Sequence, residues 1–152
     1  MNYELLLAES NSAGLIVKEK ALQYSDGRIR GKRIAIRKDI ATSAEKKCVL
    51  AEELGHYHTT VGNILDQNDT GNRKQELRAR VWGYNKLIGL SGIISCYKAG
   101  CHNLYEMAEH LDVTEEFLTE ALDCYKSKYG ICTRSDNYVI YFEPTIGVLE
   151  LA

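Results

Sequence analysis

The sequence predicts an α+β fold, because stretches with helical periodicity and stretches that alternate like strands occur along one chain. Basic and apolar residues alternate over 27–38, helical patterns fill most of 42–130, and the tail at 138–151 is β-prone. The chain has 152 residues, the size of one ordinary domain, so we predict a single domain. Its predicted parts are a core at 1–90, a helical part at 91–130 and C-terminal strands at 131–152.

The first predicted elements are a short helix and a β-hairpin. Residues 2–13 have helical character, and Gly14 is placed to end that helix. In the hairpin, Gly31 and Lys32 form a two-residue loop with glycine first, as a type II′ turn requires. The apolar face of the hairpin consists of Ile29, Ile34 and Ile36.

Three predicted helices follow the hairpin. Residues Thr42 to Glu45 have the spacing of a capping box and begin a helix that Gly62 is placed to end. Residues 73–90 show a strong helical pattern, and residues 91–100 a shorter one. The buried side of the strong helix is predicted to carry Leu77, Val81, Trp82 and Leu87.

The pattern of residues 103–130 predicts two helices joined by a tight turn, an arrangement similar to a helix-turn-helix. The second helix is capped by Thr114 and carries Glu115, Glu116, Glu120 and Asp123. Helices that read DNA present basic or amide side chains, so we expect no DNA partner and a protein-docking surface instead. In the tail, Pro144 is expected to divide the β-prone segment into two strands.

The composition indicates a cytoplasmic protein that does not interact with membranes. The net charge is −2, and the N-terminus carries acids without the basic flank of a signal peptide. No apolar run approaches the roughly 18 residues that span a bilayer. The five cysteines are odd in number and form no Cys-x-x-Cys pair, which is typical of a reducing compartment.

One short motif carries candidate chemistry. Glu52 and His56 are four residues apart on the same predicted helix, so their side chains share a face and can converge on one ion. Glu53, three residues before His56, can reach the same cavity as a general base. His58 is about 200° further round the helix than His56 and should point away. A charged helix face with one hydrogen-bonded histidine is the alternative interpretation of this motif.

A third ligand must come from another element. Glu76 is the candidate, because it is the only carboxylate between residues 70 and 105 and lies on the next helix. It is surrounded by Arg73, Lys74, Arg78 and Arg80. The alternative is therefore that Glu76 forms ordinary surface ion pairs, which contribute little stability.

Much of the chain resembles the small prophage-type branch of the ImmA/IrrE metallopeptidase family. The resemblance extends over "GLIVKEK" (14–20), "RIAIRKDI" (33–40), "AEKKCVLAEELGHYHTTVGNILDQ" (44–67), "RKQELRARVWGYNKLIGL" (73–90) and "YEMAEHLDVTEEFLTEAL" (105–122). It implies a thermolysin-like minimal zincin core, in which a small sheet accompanies the metal-binding helix. It also implies helix-turn-helix-like helices and short strands towards the C-terminus.

The resemblance assigns roles to four residues. His56 matches the family's second histidine ligand, and Glu53 matches its catalytic base. Glu52 stands where the family has its first histidine ligand. Glu76 lies in the region of the third ligand, although the family's Glu-Ala pair also aligns with Arg78-Ala79.

The resemblance further implies a regulator associated with a prophage or mobile element, which cleaves or inactivates a helix-turn-helix repressor. Two carboxylates and one imidazole would bind zinc more weakly than the family's usual set and would suit a harder ion such as Mn²⁺. The alternative function is a catalytically inactive protein with the peptidase fold that binds a repressor or another protein partner.

The same resemblance suggests a substrate-binding edge strand. In thermolysin-like folds an edge strand beside the metal helix pairs with the substrate. We assign this role to "RIAIR" (33–37), with an ordinary strand of the sheet as the alternative.

Overall fold

The computed structural model describes the backbone of residues 1–60 and 69–152 and the side chains of residues 1–60 and 73–152. The predicted helix end at Gly62 lies outside the described residues. The described helices are α1 (Tyr3–Ser12), α2 (Ser43–Thr59), α3 (Asp69–Leu87), α4 (Gly89–Lys98), α5 (Leu104–Leu111) and α6 (Glu115–Tyr129). The described strands are β1 (Ile16–Lys20), β2 (Gly27–Arg30), β3 (Arg33–Arg37), β4 (Cys132–Ser135), β5 (Tyr138–Tyr141) and β6 (Gly147–Glu150). The α+β class is confirmed.

The described residues divide into two compact units, Met1–Gly83 and Tyr84–Ala152. Each unit contains one three-stranded sheet, β1-β3-β2 in the first and β4-β5-β6 in the second. The single domain over 1–152, with its divisions at 90 and 130, stays a prediction.

The sheet of the first unit is mixed. β3 pairs in parallel with β1 and antiparallel with β2, and Arg30 lies opposite Arg33 across the predicted two-residue loop. Ile34 and Ile36 of β3 are 2% and 0% exposed and form the apolar face of the sheet. The hairpin is therefore confirmed.

The expectation that 33–37 is an edge strand is wrong. Gly14, at a φ of 85°, ends α1, and the chain then enters β1 directly. β1 covers one side of β3 and β2 the other, so β3 is the central strand and β1 and β2 are the outer strands. The hairpin alone could not reveal this order, because the covering strand comes from before it in the chain.

Helices α2 and α3 pack through small residues. A Cβ on Gly55 would lie 2.1 Å from the carbonyl oxygen of Ala79, and a Cβ on Gly83 would lie 3.3 Å from that of Ala51. These contacts place Ala79 and Gly83 on the buried side of α3. The prediction that Leu77 is buried is wrong, since it is 57% exposed. Close backbone approach, rather than large apolar side chains, sets the orientation of α3.

The second unit follows the sequence predictions closely. The side chain of Thr114 accepts a hydrogen bond from the amide of Phe117, so the predicted cap of α6 is confirmed. Asp112, at a φ of 54°, forms the turn between α5 and α6. Pro144 lies between β5 and β6, as expected, and β4 also lies within the segment 131–152 that was predicted to form strands. The fully buried side chains of this unit include Ile93, Leu118 and Ile140.

In the described part of the chain, every helix is too short or too polar to cross a lipid bilayer.

Candidate metal centre

The candidate site is built on α2. The side chain of Thr42 accepts a hydrogen bond from the amide of Glu45 at 3.1 Å, which confirms the predicted helix start. From this cap the helix continues for 17 residues to Thr59. Its length places Glu52, Glu53 and His56 on a regular helical frame, where the four-residue spacing of the predicted motif applies.

Three of the predicted site residues converge. Glu52, His56 and Glu76 each offer a ligand atom, and these atoms all lie within 4.8 Å of one another. The His56 Nε2 atom is 3.5 Å from Glu76 Oε1. We call these three residues the donor cluster. All three side chains are half-buried, so the donor cluster is open to an ion from solvent.

The packing of α3 selects Glu76 for the cluster. Ala79 meets Gly55, and Gly83 meets Ala51 one turn earlier on α2. Glu76 is one turn before Ala79 and therefore lies on the face directed at α2. The sequence left open whether position 76 or position 78 faces the other two ligands. The structure places Glu76 there and leaves Arg78 exposed.

Arg80 is one of the basic residues that the sequence offered to Glu76 as surface ion-pair partners, and the structure brings it to the donor cluster. Its Nε atom is 3.8 Å from Glu52 Oε1 and 4.0 Å from Glu76 Oε1. The Arg80 side chain is 51% exposed, so each of these ion pairs contributes little stability. Its charge nevertheless offsets part of the repulsion between the two carboxylates. The i+4 spacing from Glu76 was the available signal in the sequence.

The Glu53 side chain lies against β2, next to the donor cluster. A Cβ on Gly27 of β2 would lie 3.0 Å from Glu53 Oε1 and 2.8 Å from Val49 Cγ1. The missing side chain at Gly27 therefore leaves the space that the Glu53 carboxyl occupies. Sequence reasoning missed this glycine, because its partner is distant in the chain.

The carboxyl groups are close enough to affect one another's ionisation. Burial, together with the nearby charges of Glu52 and Glu76, raises the pKa of Glu53 to about 7. Burial also raises the pKa of Glu52; Arg80 and His56 oppose the increase and Glu76 adds to it. Glu53 is thus able to accept or release a proton near neutral pH.

A cleft of about 480 Å³ adjoins Glu53 and the donor cluster. Its lining includes Ile29 of the outer strand β2, Glu53, His56 and Tyr57. The cleft therefore lies between α2 and a strand whose outer edge has no partner strand in the described sheet. This makes β2, not β3, the strand placed to pair with an extended substrate.

His58 lies outside the donor cluster, as its position on the helix predicted. Its ring stacks on Trp82 at a centroid distance of 4.7 Å and an angle of 18°. A metal ion can be held by a group of at least three His, Cys, Asp or Glu side chains whose ligand atoms lie close together. Among the described residues, the donor cluster is the group that meets this condition.

The donor cluster fits a divalent ion. Catalytic zinc sites use three protein ligands at about 2.0–2.2 Å in a tetrahedral arrangement, which places two ligand atoms about 3.3–3.6 Å apart. The His56 Nε2 and Glu76 Oε1 atoms, at 3.5 Å, already meet this condition. Side-chain rotation would bring the remaining ligand atoms, which lie within 4.8 Å of one another, to the same spacing. Two carboxylates and one imidazole are acceptable to zinc and, with more oxygen than usual, to manganese.

A helix that carries candidate metal ligands, beside a small mixed sheet and with a carboxylate facing a cleft, is typical of metallopeptidase-like proteins. Residues 12–123 match the family model of the IrrE N-terminal-like domain, Peptidase_M78. The match covers most of the chain, so the protein belongs to this family. It includes all of α2 and α3 and therefore every candidate site residue. Family membership confirms the resemblance to ImmA/IrrE proteins. No curated protein matches the chain.

Proposed function

We propose that this protein is a metal-dependent peptidase that acts on a protein partner. The observation that carries the proposal is the convergence of Glu52, His56 and Glu76 beside Glu53 and its cleft. In this proposal the donor cluster holds one divalent ion and Glu53 is the catalytic base. Membership of the Peptidase_M78 family supports the reaction class.

The proposed reaction is hydrolysis of a peptide bond. When bound, the ion would polarise the scissile carbonyl and lower the pKa of water. Glu53 would take a proton from the attacking water and later deliver it to the leaving amine. Burial raises the pKa of Glu53 above its ordinary value, so its carboxyl holds the transferred proton more readily than an exposed one would. The outer edge of β2 would hold the substrate backbone in an extended form beside Glu53.

Glu52 in place of a histidine makes the proposed site unusual. Two carboxylates neutralise a divalent ion, so the bound ion would acidify water less than in a site with two histidines. We therefore expect weaker zinc binding, a greater preference for harder ions such as Mn²⁺, and slow hydrolysis.

The proposed partner is a helix-turn-helix repressor of a prophage or mobile element. Support comes from the family resemblance, and the surface of α6 is consistent with it. Glu115, Glu116, Glu120 and Asp123 are all exposed there. Four acids on one helix disfavour contact with DNA phosphates and leave a protein as the preferred partner.

A second candidate function is a regulator that binds the repressor without cleaving it. The observation that favours it is the position of Arg80, whose guanidinium already lies near Glu52 and Glu76. If this cation neutralises the carboxylates permanently, the cluster is a structural ion-pair network. The peptidase fold would then serve only to present a binding surface.

Metal content distinguishes the two functions. Purified protein without a tag is loaded with zinc or manganese, dialysed and measured by mass spectrometry, beside His56→Ala and His58→Ala. We expect close to one ion per chain in the wild type and in His58→Ala, whose ring lies outside the cluster. His56→Ala should hold none. A wild type that holds no ion after either loading would overturn the peptidase proposal in favour of the binding protein.

A cleavage assay with the repressor encoded nearest to this gene tests the base. Glu53→Gln should abolish cleavage and leave both metal content and repressor binding unchanged, because the amide cannot accept the proton. Cleavage that survives this substitution would assign the base to another residue.

A further inference from the structure

The sheet of the first unit has a second face, which is directed away from Ile34 and Ile36. Strand register decides which side chains lie on it, because neighbouring residues along a strand point to opposite faces. Arg33 and Ala35 of β3 share this face with their cross-strand partners Ile16 and Lys18 on β1. Arg28 and Arg30 on β2 lie opposite the same two β3 positions. We call it the basic face, defined by Lys18, Lys20, Arg28, Arg30 and Arg33.

The five cations of the basic face form no ion pair with any residue that the structure describes. Their neighbours behave differently: Arg37 pairs with both Asp26 and Asp39, and Lys46 pairs with Glu19. Glu19 lies between Lys18 and Lys20 in sequence, but the alternation along β1 directs it to the other face. Arg37 lies on the same face by register, and Asp26 and Asp39 are already paired with it. In a chain whose net charge is −2, the five other cations of this face are therefore concentrated without an ion-pair partner among the described residues.

The basic face is concave and partly apolar. It borders a groove of about 400 Å³ whose lining includes Ile16, Leu22 and Ala35 as well as the five cations. Ile16 is 48% exposed, although it is a large aliphatic residue in a strand. An apolar floor with a basic rim requires a ligand that carries both apolar groups and negative charges.

We propose that the basic face binds an acidic segment of a protein, extended and with carboxylates that alternate with apolar side chains. Alternate residues of an extended chain are about 6.6–6.8 Å apart, the same repeat as the cations along β1 and β2. Arginine forms paired hydrogen bonds with carboxylates, and β2 alone supplies Arg28 and Arg30. The basic face lies on the opposite side of the sheet from α2, so binding does not require the metal or Glu53.

Acidic peptide is favoured over nucleic acid by the lining of the groove. Surfaces that bind single strands stack bases on aromatic rings. The lining residues are aliphatic or basic and include no aromatic ring. The apolar floor would face a sugar-phosphate backbone without a group to cover it, whereas valine or leucine side chains of a peptide would fill it.

The test is a binding measurement by fluorescence anisotropy with three labelled probes. They are a short peptide alternating glutamate and valine, the same peptide with lysine for glutamate, and a single-stranded oligonucleotide. The glutamate peptide should bind, more weakly as salt is added, and the lysine peptide should not. Arg28→Glu/Arg30→Glu should lower affinity for the glutamate peptide by about tenfold or more, because it removes charge-assisted hydrogen bonds.

The matched control is Arg73→Glu/Arg78→Glu, which makes the same change in charge at exposed positions on α3. It should retain affinity within about twofold. Arg28→Gln/Arg30→Gln, which removes the charge without reversing it, should lower affinity and retain the wild-type circular dichroism spectrum. Metal loading should change none of these affinities.

Four results would overturn the proposal. The glutamate peptide fails to bind at low salt, or the control variant loses as much affinity as the test variant. The oligonucleotide binds more tightly than the peptide at equal ionic strength, which would assign the face to nucleic acid. Wild-type protein dimerises and Arg28→Glu/Arg30→Glu does not, which would assign it to a second copy of the chain.

Discussion

The candidate site lies at two contacts of α2, one with α3 and one with β2, and the two contacts are packed in different ways. We call them the α3 seam and the β2 seam. At the α3 seam, the atoms that a Cβ on Gly55 would meet belong to the backbone of Ala79. At the β2 seam, the atoms that a Cβ on Gly27 would meet belong to the side chains of Val49 and Glu53. Backbone atoms can move only with their helix, whereas side chains can rotate. The donor cluster therefore depends on a rigid seam and the candidate base on an adaptable one.

Gly55→Ala should have the largest effect, because it adds a Cβ only 2.1 Å from the Ala79 carbonyl oxygen. The helices must separate, at a cost of about 3 kcal/mol or more in the free energy of unfolding. Urea denaturation would measure this loss. Gly147→Ala is the control, since nothing lies within 4 Å of its added Cβ. Equal stability of the two variants would contradict a rigid seam.

Glu52→His should change the metal preference of the donor cluster. It restores a second imidazole to the donor cluster and should raise zinc affinity by about tenfold or more relative to manganese. Competition with a chelator of known affinity would measure the change. Glu52→Gln, which removes the charge without adding an imidazole, should bind both metals more weakly. A histidine variant with unchanged zinc preference would show that Glu52 is not a ligand.

The pH dependence of stability tests the environment of Glu53 in metal-free protein. Its folded-state pKa of about 7 exceeds the ordinary value of 4.5. Below pH 4.5 both states hold the proton, so Glu53 then costs no stability. As the pH rises to about 7, the unfolded chain loses this proton first and the free energy of unfolding falls. Glu53→Gln should flatten this fall in denaturation curves. A fall of equal size in the variant would locate its cause in other groups.

Gly27→Ala should have the smallest effect on stability and a selective effect on function. The added Cβ meets side-chain atoms at 2.8–3.0 Å, so small shifts relieve it at a cost of about 1 kcal/mol. Glu53 must move, and repressor cleavage should drop while metal content stays at the wild-type level. Loss of metal together with cleavage would mean that the two seams are not independent.

Local sequence rules were sufficient for most helix and strand positions. The Thr42 cap, the Gly31 loop and the Thr114 cap each depend on residues within a few positions of one another. The four-residue spacing of Glu52 and His56 is equally local, because a helix fixes it. These features were therefore predictable from the chain alone.

Partners distant in the chain were not predictable in the same way. Leu77 was expected in the core, yet Ala79 and Gly83 form the buried side of α3. That result depends on the small residues Ala51 and Gly55 of another helix, against which Gly83 and Ala79 pack. The pattern of apolar residues along α3 does not reveal this contact. The central position of β3 likewise depends on a strand from before the hairpin.

The sequence by itself determined the α+β class and the motif on α2 with its three candidate residues, Glu52, Glu53 and His56. Only the tertiary structure decided that Glu76 rather than Arg78 meets His56, that Arg80 lies against the carboxylates, and that Gly27 makes room for Glu53. Spacing along one helix is fixed by the backbone's own hydrogen bonds, so it can be read from the chain. The rotation of one element against another is fixed by complementary surfaces, which exist only when the chain has folded.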